Sequence, residues 1–271
     1  MLSKKMILIL LILTFLLFYY CVFFEPSNIK INSLEISFPN LPPEFEDLKI
    51  IQISDLHSLW YGNREKRVLK TLKETPYDFL FITGDFVDKL TRITDPEFKK
   101  VKPFWEELGK LGKVFAVFGN QDYKKVQSVL KETKIKFLEN SNVAFSRGGK
   151  RVVIVGTNDP RTKQANIKEA FRNVNSDDFV ILLSHAPDIL AQLKGKKADL
   201  ILVGDTHGGQ VNIPILNRIF LPLTKYGQMY PKGLFKVDSS YLYVNPGIGT
   251  SFFPIRFFCQ PEITIFSLKR Q

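Results

Sequence analysis

The chain carries a series of short apolar runs, and most of them end in polar residues. Leu200–Val203, for example, leads into a glycine-rich segment that contains Asp205 and His207. Aliphatic runs of this length are typical of buried strands, and two intervening segments have the apolar spacing of helices. The predicted strands cover residues 48–54, 79–83, 114–118, 152–155, 180–183, 200–203, 241–247 and 262–266, and the predicted helices cover 64–74 and 96–111. This alternation predicts an α/β domain whose ligands gather beyond the carboxyl ends of the strands.

An uninterrupted apolar stretch, Met6–Phe24, follows Lys4 and Lys5 near the N-terminus. As a helix it spans about 28 Å, which is close to the thickness of a bilayer core. A cleaved signal peptide is the alternative, but its apolar region is shorter and ends in small residues, whereas Tyr19–Phe24 is bulky. We therefore predict a retained, single-pass anchor in a bacterial inner or plasma membrane.

The anchor divides the chain into three predicted parts. These are the membrane anchor at 1–24, a linker with an alternating edge strand at 25–45, and the main domain at 46–271. Lysines that precede a membrane segment tend to stay in the cytoplasm, which places the domain on the outer side. Lys30 and the basic domain argue against that orientation, so the side of the membrane stays open.

The charge balance is basic, with 38 Lys and Arg against 27 Asp and Glu and a net charge of +11. Such a balance suits an anionic membrane surface, phosphorylated substrates, nucleic acid or simply solvated lysine faces. Because the basic residues are scattered and form no recognised binding module, we expect no nucleic-acid partner. No protein partner is predicted. Two cysteines, of which Cys21 lies in the apolar stretch, argue against a disulfide framework.

The three histidines of the chain are the strongest chemical signal. His57, His185 and His207 each lie in a loop that directly follows a predicted strand. A lone histidine is more often a core or surface residue than a ligand, but packing does not explain three out of three. The residues that accompany them offer hard oxygen ligands: Asp55, Asp85, Asn120 and Asp205. This combination suits Mn, Fe, Zn or a similar divalent ion, and a bridging carboxylate permits a two-metal centre.

Five short motifs carry a family resemblance. They are Asp55-Leu56-His57, Gly84-Asp85-Phe86-Val87-Asp88, Gly119-Asn120-Gln121-Asp122, the isolated His185, and Gly204-Asp205-Thr206-His207. In their order and strand contexts, over residues 48–210, they resemble the calcineurin-like metallophosphoesterases. Gly208-Gly209-Gln210 and the tail segments 245–251, 254–257 and 261–263 resemble the membrane-associated YkuE-like branch. The resemblance implies a sandwich of two mixed β-sheets flanked by helices.

The resemblance also implies roles for individual residues. Asp55, His57 and His207 hold one metal, Asp85 bridges, and Asn120, His185 and Asp205 hold the second. Asn120, Gln121 and Asp122 belong to the catalytic loop, and Gly208, Gly209 and Gln210 are candidates for substrate binding. Two cations suit in-line phosphoryl transfer, because they stabilise the attacking and leaving oxygens and lower the pKa of bound water.

Two positions depart from the family pattern. Asp205 stands where the family usually has a histidine, and an anionic oxygen ligand favours a harder ion, so Mn ranks first, with Fe, Zn or Mg as alternatives. Gln121 stands where the family usually has a histidine that assists the leaving group. An amide donates a hydrogen bond but gives up no proton at neutral pH. Loss of general acid help costs on the order of a hundredfold or more for poor leaving groups.

A good leaving group would make that loss less important. The hypothesis is therefore Mn-dependent hydrolysis of a nucleotide–lipid anhydride at a membrane, as in UDP-2,3-diacylglucosamine hydrolysis during lipid A synthesis. The alternatives are a general phosphodiesterase or phosphomonoesterase, and a metal-binding scaffold with weakened catalysis. An outer location would count against the nucleotide substrate, because nucleotide sugars are cytoplasmic.

Two apolar segments follow active-site loops in the sequence. They suit a lipid substrate, or equally packing against the domain or the bilayer: Ile213, Ile215, Leu216, Ile219, Phe220, Leu221 and Leu223, and Phe252, Phe253, Phe257 and Phe258.

Overall fold

The computed structural model describes residues 3–59, 61–87, 95–213 and 224–271, and of residues 95–98 it describes the backbone alone. The last residue of the second motif, Asp88, and the apolar positions between 215 and 223 therefore lie outside the described residues.

The first sheet has six strands and is mixed. Its strands are β1 (Lys30–Phe38), β2 (Leu48–Ile53), β3 (Phe79–Ile82), β4 (Val114–Ala116), β5 (Lys136–Phe137) and β12 (Glu262–Arg270). They lie in the order β1-β12-β2-β3-β4-β5. Parallel pairing joins β2 to β3 and β3 to β4, whereas β12 runs antiparallel to β2. The carboxyl ends of β2, β3 and β4 consequently meet at one edge.

The second sheet is also mixed. Its strands are β6 (Ser141–Arg147), β7 (Lys150–Gly156), β8 (Phe179–Leu183), β9 (Leu200–Val203), β10 (Gly233–Val237) and β11 (Ser240–Val244). They lie in the order β10-β11-β9-β8-β7-β6. The four central strands are parallel, and the two outer strands β6 and β10 are antiparallel to their neighbours.

Apolar side chains from both sheets fill the space between them. In β9, Leu200 and Leu202 point into this inter-sheet core, whereas Ile201 and Val203 point to the outer face. The helices α3 (Asn63–Glu74), α4 (Asp95–Gly109) and α5 (Lys124–Lys131) lie on the outer face of the first sheet. Burial on both faces explains why β3, β8 and β9 are continuous apolar runs rather than alternating ones.

Smaller helices complete the fold. They are α6 (Ile167–Ala170) and α7 (Lys225–Met229), which belong to the half of the chain that builds the second sheet. The predicted sandwich of two mixed sheets with flanking helices is confirmed. The predicted strands and helices all occur, although β4 ends at Ala116 and not at residue 118.

The N-terminal segment is helical. It comprises α1 (Lys4–Tyr19), a π-helical turn (Tyr20–Phe24) and the short helix α2 (Glu25–Ser27). No residue of α1 is buried against the rest of the chain. The 24 residues from Lys4 to Ser27 are long and apolar enough to cross a membrane. The domain boundaries at 24 and 45 stay a prediction.

Candidate metal centre

The predicted ligands come together where the two sheets meet. Asp55 and His57 follow β2, Asp85 follows β3, and Asn120 comes shortly after β4. The second sheet contributes the other predicted ligands, His185 after β8 and Asp205 and His207 after β9. All of them except Asn120 are buried.

One group of possible ligands consists of Asp55, His57 and His207, whose ligand atoms lie within 4.8 Å of one another. The Nε2 atoms of the two histidines are 3.1 Å apart, and Nε2 of His207 is 3.4 Å from Oδ1 of Asp55. Two imidazole nitrogens that face one another next to a carboxylate suit a shared cation.

A second group consists of Asp55, Asp85 and His185, again within 4.8 Å. Nε2 of His185 lies 3.3 Å from Oδ1 of Asp85 and 3.1 Å from Oδ1 of Asn120. Its Nδ1 lies 2.8 Å from the carbonyl of Thr83, which fits a ring that donates through Nδ1 and leaves Nε2 free for a ligand role.

Asp85 lies between the two groups. Its Oδ1 faces His185, whereas its Oδ2 is 3.6 Å from Nε2 of His57. Each oxygen thus points towards a different group, which is what a bridging carboxylate requires.

Asp205 has a partner that the sequence did not indicate. Its Oδ1 is 3.4 Å from Nε2 of His185 and accepts a 2.5 Å hydrogen bond from Nη1 of Arg161. The side chain of Arg161 is one-third exposed, so its guanidinium contacts both the buried Asp205 and solvent. Arg161 lies in a loop after β7, in a stretch without any apolar pattern, and no sequence signal marked it.

The backbone at these ligands is unusual. Asp55, His57, Asp85, Asp205 and His207 all have positive φ angles, of 50°, 42°, 53°, 70° and 51°. Left-handed backbone costs a non-glycine residue about 1 kcal/mol or more, although Asp and His tolerate it better than most. Such conformations cluster at functional sites, where the surrounding fold holds them in place.

Two glycines allow close approach at the centre, Gly204 between the two sheets and Gly119 between neighbouring loops of the first sheet. A Cβ on Gly204 would overlap the side chains of Ser54 and Asp55, and a Cβ on Gly119 would overlap the carboxylate of Asp85. The backbone amide of Asp205 can therefore lie 3.1 Å from Oδ2 of Asp55.

Asp122 contacts backbone rather than the centre itself. Its carboxylate accepts hydrogen bonds from the amides of Asp85, Phe86 and Gly119 at 2.8–2.9 Å. The amide of Gln121 donates to Oδ1 of Asp85 at 2.9 Å. Through these contacts Asp122 holds the loop after β3 and the loop after β4 together. A catalytic role for Asp122 stays a prediction.

The glycine pair and Gln210 continue the chain beyond His207. Gly208 and Gly209 have positive φ angles and are buried. The Gln210 side chain donates to the carbonyl of Ser251 at 3.0 Å and accepts from its amide, so it binds the neighbouring loop. A role of these three residues in substrate binding stays a prediction.

The C-terminal tail supports the first ligand group from behind. The amides of Ile248 and Gly249 donate to the carbonyls of Ser54 and Asp55. Arg256 is fully buried and donates to several backbone carbonyls, including those of Gly249 and Cys259. The sequence resemblance included this tail, but the role of Arg256 as a brace appears only in the structure.

Electrostatics differ between the two groups. Burial raises the pKa of Asp55 to about 7, with the charge of Asp85 adding to the shift and that of His185 opposing it. Burial alone would lower the pKa of His185, but the neighbouring carboxylates, Asp85 foremost, hold it well above its ordinary value. Burial and the nearby His57 hold the pKa of His207 well below its ordinary value. Without cations, the centre therefore retains protons on groups that a metal would need deprotonated.

The donor set fits divalent ions. Buried carboxylates and imidazoles converge within ligand reach, and burying such charges without a counter-charge is costly. Bound cations would replace the retained protons and compensate the carboxylates.

Comparison with known proteins agrees with this chemistry. The family model for calcineurin-like phosphoesterases matches residues 48–209. The chain belongs to the calcineurin-like phosphoesterase family. This calcineurin-like phosphoesterase is thus a metal-dependent phosphoester hydrolase.

Three relatives are similar to this phosphoesterase over most of its length. The metallophosphoesterase YkuE of Bacillus subtilis is 29% identical, over 92% of this chain and 89% of its own. UDP-2,3-diacylglucosamine pyrophosphatase LpxG of Chlamydia muridarum is 29% identical, over 89% of both chains. A transmembrane protein with a metallophosphoesterase domain from Danio rerio is 27% identical, over 99% of this chain and 64% of its own.

A solved structure shares the fold of this phosphoesterase. The sulfate thiohydrolase SoxB of Thermus thermophilus, in complex with glycerol, is 15% identical and superimposes with a TM-score of 0.50, covering 84% of this chain and 57% of its own. Similarity at this identity concerns the fold alone.

Proposed function

We propose that the protein is a membrane-anchored, two-metal hydrolase that cleaves a phosphoanhydride bond in a lipid-linked substrate such as UDP-2,3-diacylglucosamine. The observation that carries this proposal is the set of hydrogen bonds that links the end of the apolar helix, through Cys259, to His207. The carboxylate of Glu25 accepts hydrogen bonds from the amides of Phe258 and Cys259, and the thiol of Cys259 lies 3.2 Å from the carbonyl of His207. A membrane helix in this place would keep the centre close to the bilayer.

The similarity to LpxG supports the substrate class. It extends over 89% of both chains, so it includes the anchor region or the tail as well as the shared motifs. The Danio rerio relative, named as a transmembrane protein, supports the anchor.

The ligand assignment follows the two groups. Asp55, His57 and His207 would hold one ion, Asp85 would bridge, and Asn120, His185 and Asp205 would hold the other. Divalent ions supply Lewis-acid stabilisation of phosphoryl oxygens and lower the pKa of water at such centres, and the oxygen-rich second site favours Mn.

The residues of the chain would orient the substrate. Arg161, which Asp205 holds at the opening of the centre, offers a guanidinium to phosphate oxygens. Gln121 stands on the loop that donates to Asp85 and provides an amide rather than an acid. A phosphoanhydride suits such a site, because its leaving phosphate needs little protonation.

The test is an assay of the full chain in detergent with Mn, since removal of residues up to 25 would delete the buried Glu25 contact. We expect hydrolysis of UDP-2,3-diacylglucosamine that is abolished in Asp85→Ala. Hydrolysis of simple phosphodiesters without any hydrolysis of the lipid substrate would overturn the substrate assignment and favour a general phosphodiesterase.

A second candidate function is that of a metal-binding scaffold with weakened catalysis, because Gln121 cannot protonate a leaving group. Two bound metals without turnover of any phosphoester would support it. We expect instead that Gln121→His raises turnover of substrates with poor leaving groups and leaves good ones little changed. An unchanged rate for the poor leaving groups would contradict our account of this position.

A further inference from the structure

We infer that the loop Ser251–Phe258, here called the aromatic loop, is a second membrane contact that inserts into the lipid surface beside the helix end. The inference rests on the proposed membrane anchor. It also deepens the proposed function, because a loop in the lipid surface favours a substrate whose phosphate lies among the headgroups of the same bilayer.

The loop exposes large aromatic side chains. Phe252, Phe253 and Phe258 are 66%, 69% and 61% exposed. Among the described residues after 24, the other large exposed hydrophobic side chains are the aliphatic ones of Ile31, Met229 and Leu234. Three exposed rings within seven residues form a patch of the kind that marks an interaction surface.

The backbone holds these rings outward. Phe252 and Phe258 have positive φ angles of 61° and 52°, which are rare for bulky residues. The Gln210 side chain fixes the loop at Ser251 and Phe253, and Glu25 fixes it at Phe258. Such strain persists only where surrounding contacts impose it, which argues against a loop that is exposed by chance.

The loop lies against the end of the apolar helix. The amide of Arg256 donates to the carbonyl of Cys21 at 2.9 Å, and the ring of Phe257 meets that of Tyr20 edge-on with centroids 6.2 Å apart. If the apolar helix spans the bilayer, its last apolar residues, Phe23 and Phe24, lie at the membrane surface. The aromatic loop is then at the same level.

The chemistry of the loop fits lipid. Its single charged residue, Arg256, is buried and bound to backbone carbonyls, so the exposed part of the loop carries no charge. Aromatic rings are favoured at the interface between headgroups and acyl chains. The adjacent cavity of about 540 Å³ is lined by two lysines, Lys30 and Lys232, and by two glutamates, Glu25 and Glu262, so it carries charges of both signs.

The loop also connects to the metal centre. Phe257 forms a bridge with Val211 and accepts from the amide of Asn212, directly after the segment that carries His207. A bilayer that holds the aromatic loop would therefore hold the segment that carries His207 near the headgroups.

The first test measures insertion directly. Full-length Phe253→Trp would be placed in nanodiscs with and without brominated phospholipids, and its emission compared with that of the parent chain and of Leu234→Trp, which puts the same ring on the edge strand β10. We expect the additional emission of Phe253→Trp to be quenched by brominated lipid, and that of Leu234→Trp to be unaffected.

One result would overturn the proposal, a Phe253→Trp emission that the brominated lipid leaves unquenched while the chain stays membrane-inserted by flotation. A blue shift of that unquenched emission would show that protein, such as a second copy of the chain, covers the loop in place of lipid. Failure of the anchor itself would appear separately, as loss of flotation of the parent chain.

The second test measures how the exposed rings affect turnover. Phe252→Ser with Phe253→Ser should lower turnover of a phosphorylated lipid in vesicles about tenfold or more, because the loop loses the two exposed rings that would insert into lipid, and should change turnover of a soluble phosphodiester little. Leu234→Ser should change neither. Equal losses on both substrates would indicate a folding role and count against the proposal.

Discussion

At the scale of single residues, the pair of Asp205 and Arg161 accounts for a departure from the family. A carboxylate in place of an imidazole adds a negative charge to a buried centre that already contains Asp55 and Asp85. The guanidinium of Arg161 balances this charge, because it binds Oδ1 of Asp205 directly. We interpret the two residues as one unit that replaces a neutral histidine.

Arg161→Ala should therefore impair the enzyme. A hydrogen bond to a charged group is worth about 1.5–3 kcal/mol, and partial exposure of Arg161 reduces this, so kcat/KM for a soluble phosphodiester should fall about tenfold. Arg172→Ala is the matched control, since Arg172 forms an exposed pair with Glu169.

A double variant tests whether Arg161 and Asp205 act as one unit. Arg161→Ala combined with Asp205→His should recover part of the lost kcat/KM, because a neutral imidazole needs no counter-charge. If the double variant is as impaired as Arg161→Ala alone or worse, the two residues do not act as a unit.

Asp122 shows how a residue beside the centre contributes through the backbone. Its two oxygens accept from three amides, and an asparagine in its place would turn an NH2 group towards at least one of them. We expect Asp122→Asn to lower the free energy of unfolding by about 1–3 kcal/mol, the usual cost of an unpaired buried amide. Denaturant titration of the metal-free protein at about pH 9, where the Asp122 carboxyl with its pKa of about 8 is ionised, measures this, with the exposed Asp177→Asn as control. An unchanged unfolding midpoint would contradict the positioning role.

The residues of the candidate metal centre could be predicted from the sequence because each follows a buried strand. Asp55, Asp85 and His185 stand directly after apolar runs, and parallel strands bring such positions to one edge. Arg161 and Glu25 could not be found in this way. Their partners are 44 and more than 230 residues away, and their own surroundings have no period that predicts an inward side chain.

At the scale of elements, the helix end and the aromatic loop form one joint. Glu25 is 1% exposed, although glutamate is rarely buried without partners. Its carboxylate satisfies the amides of Phe258 and Cys259, and so ties the short helix α2 to the tail of the domain.

Glu25→Ala should loosen this joint. Without the carboxylate the two amides lose their partners, so hydrogen exchange in the segment that contains Phe258 and Cys259 should accelerate, and Tm in detergent should fall. Glu25→Gln, which retains one acceptor, should be intermediate. Glu35→Ala on the exposed side of β1 should leave exchange there unchanged, and equal acceleration in that control would argue against a specific joint.

The elements themselves were predictable to different degrees. The central strands β3, β8 and β9 are buried on both faces, so their sequences are uninterrupted apolar runs. The strands β5 and β6 lie at sheet edges and are short or largely exposed, so side-chain burial imposes little pattern on them. The helix α5 has eight residues, which is too short for a clear period.

At the scale of the whole molecule, the candidate metal centre lies between the two sheets. The first sheet supplies Asp55, His57, Asp85 and Asn120, and the second supplies His185, Asp205 and His207. Ions that bind only the folded arrangement stabilise it, by about 2.7 kcal/mol when free metal is a hundredfold above Kd. Metal removal should therefore lower the stability of the entire sandwich rather than that of one loop.

The pH dependence of this stabilisation gives the last prediction. Burial raises the pKa of Asp55 to about 7 and that of Asp122 to about 8, from an ordinary 3.8, with the charge of Asp85 adding to both shifts. A group whose pKa is higher in the folded chain than in the unfolded chain stabilises the fold, and this contribution is complete below the pKa of the unfolded chain. It is lost as the pH rises through the pKa of the folded chain. His185, also raised, acts in the same direction, whereas His207, which is lowered, acts in the opposite direction only near and below its ordinary value of 6.5.

The metal-free protein should thus lose on the order of 1–2 kcal/mol between about pH 7 and pH 8.5, as the carboxyls lose protons that no cation replaces. The Mn-loaded protein should lose less, because Asp55 would already be deprotonated as a ligand and the ions next to Asp85 would offset the charge that raises the pKa of Asp122. Thermal unfolding of both forms across this range measures the difference, which should widen with pH by about 2–4 °C per kcal/mol. Asp85→Ala, which removes the bridging position, should abolish the Mn-dependent part. A difference between the two forms that stays constant or narrows with rising pH would show that protons and metal ions do not compete for these carboxylates.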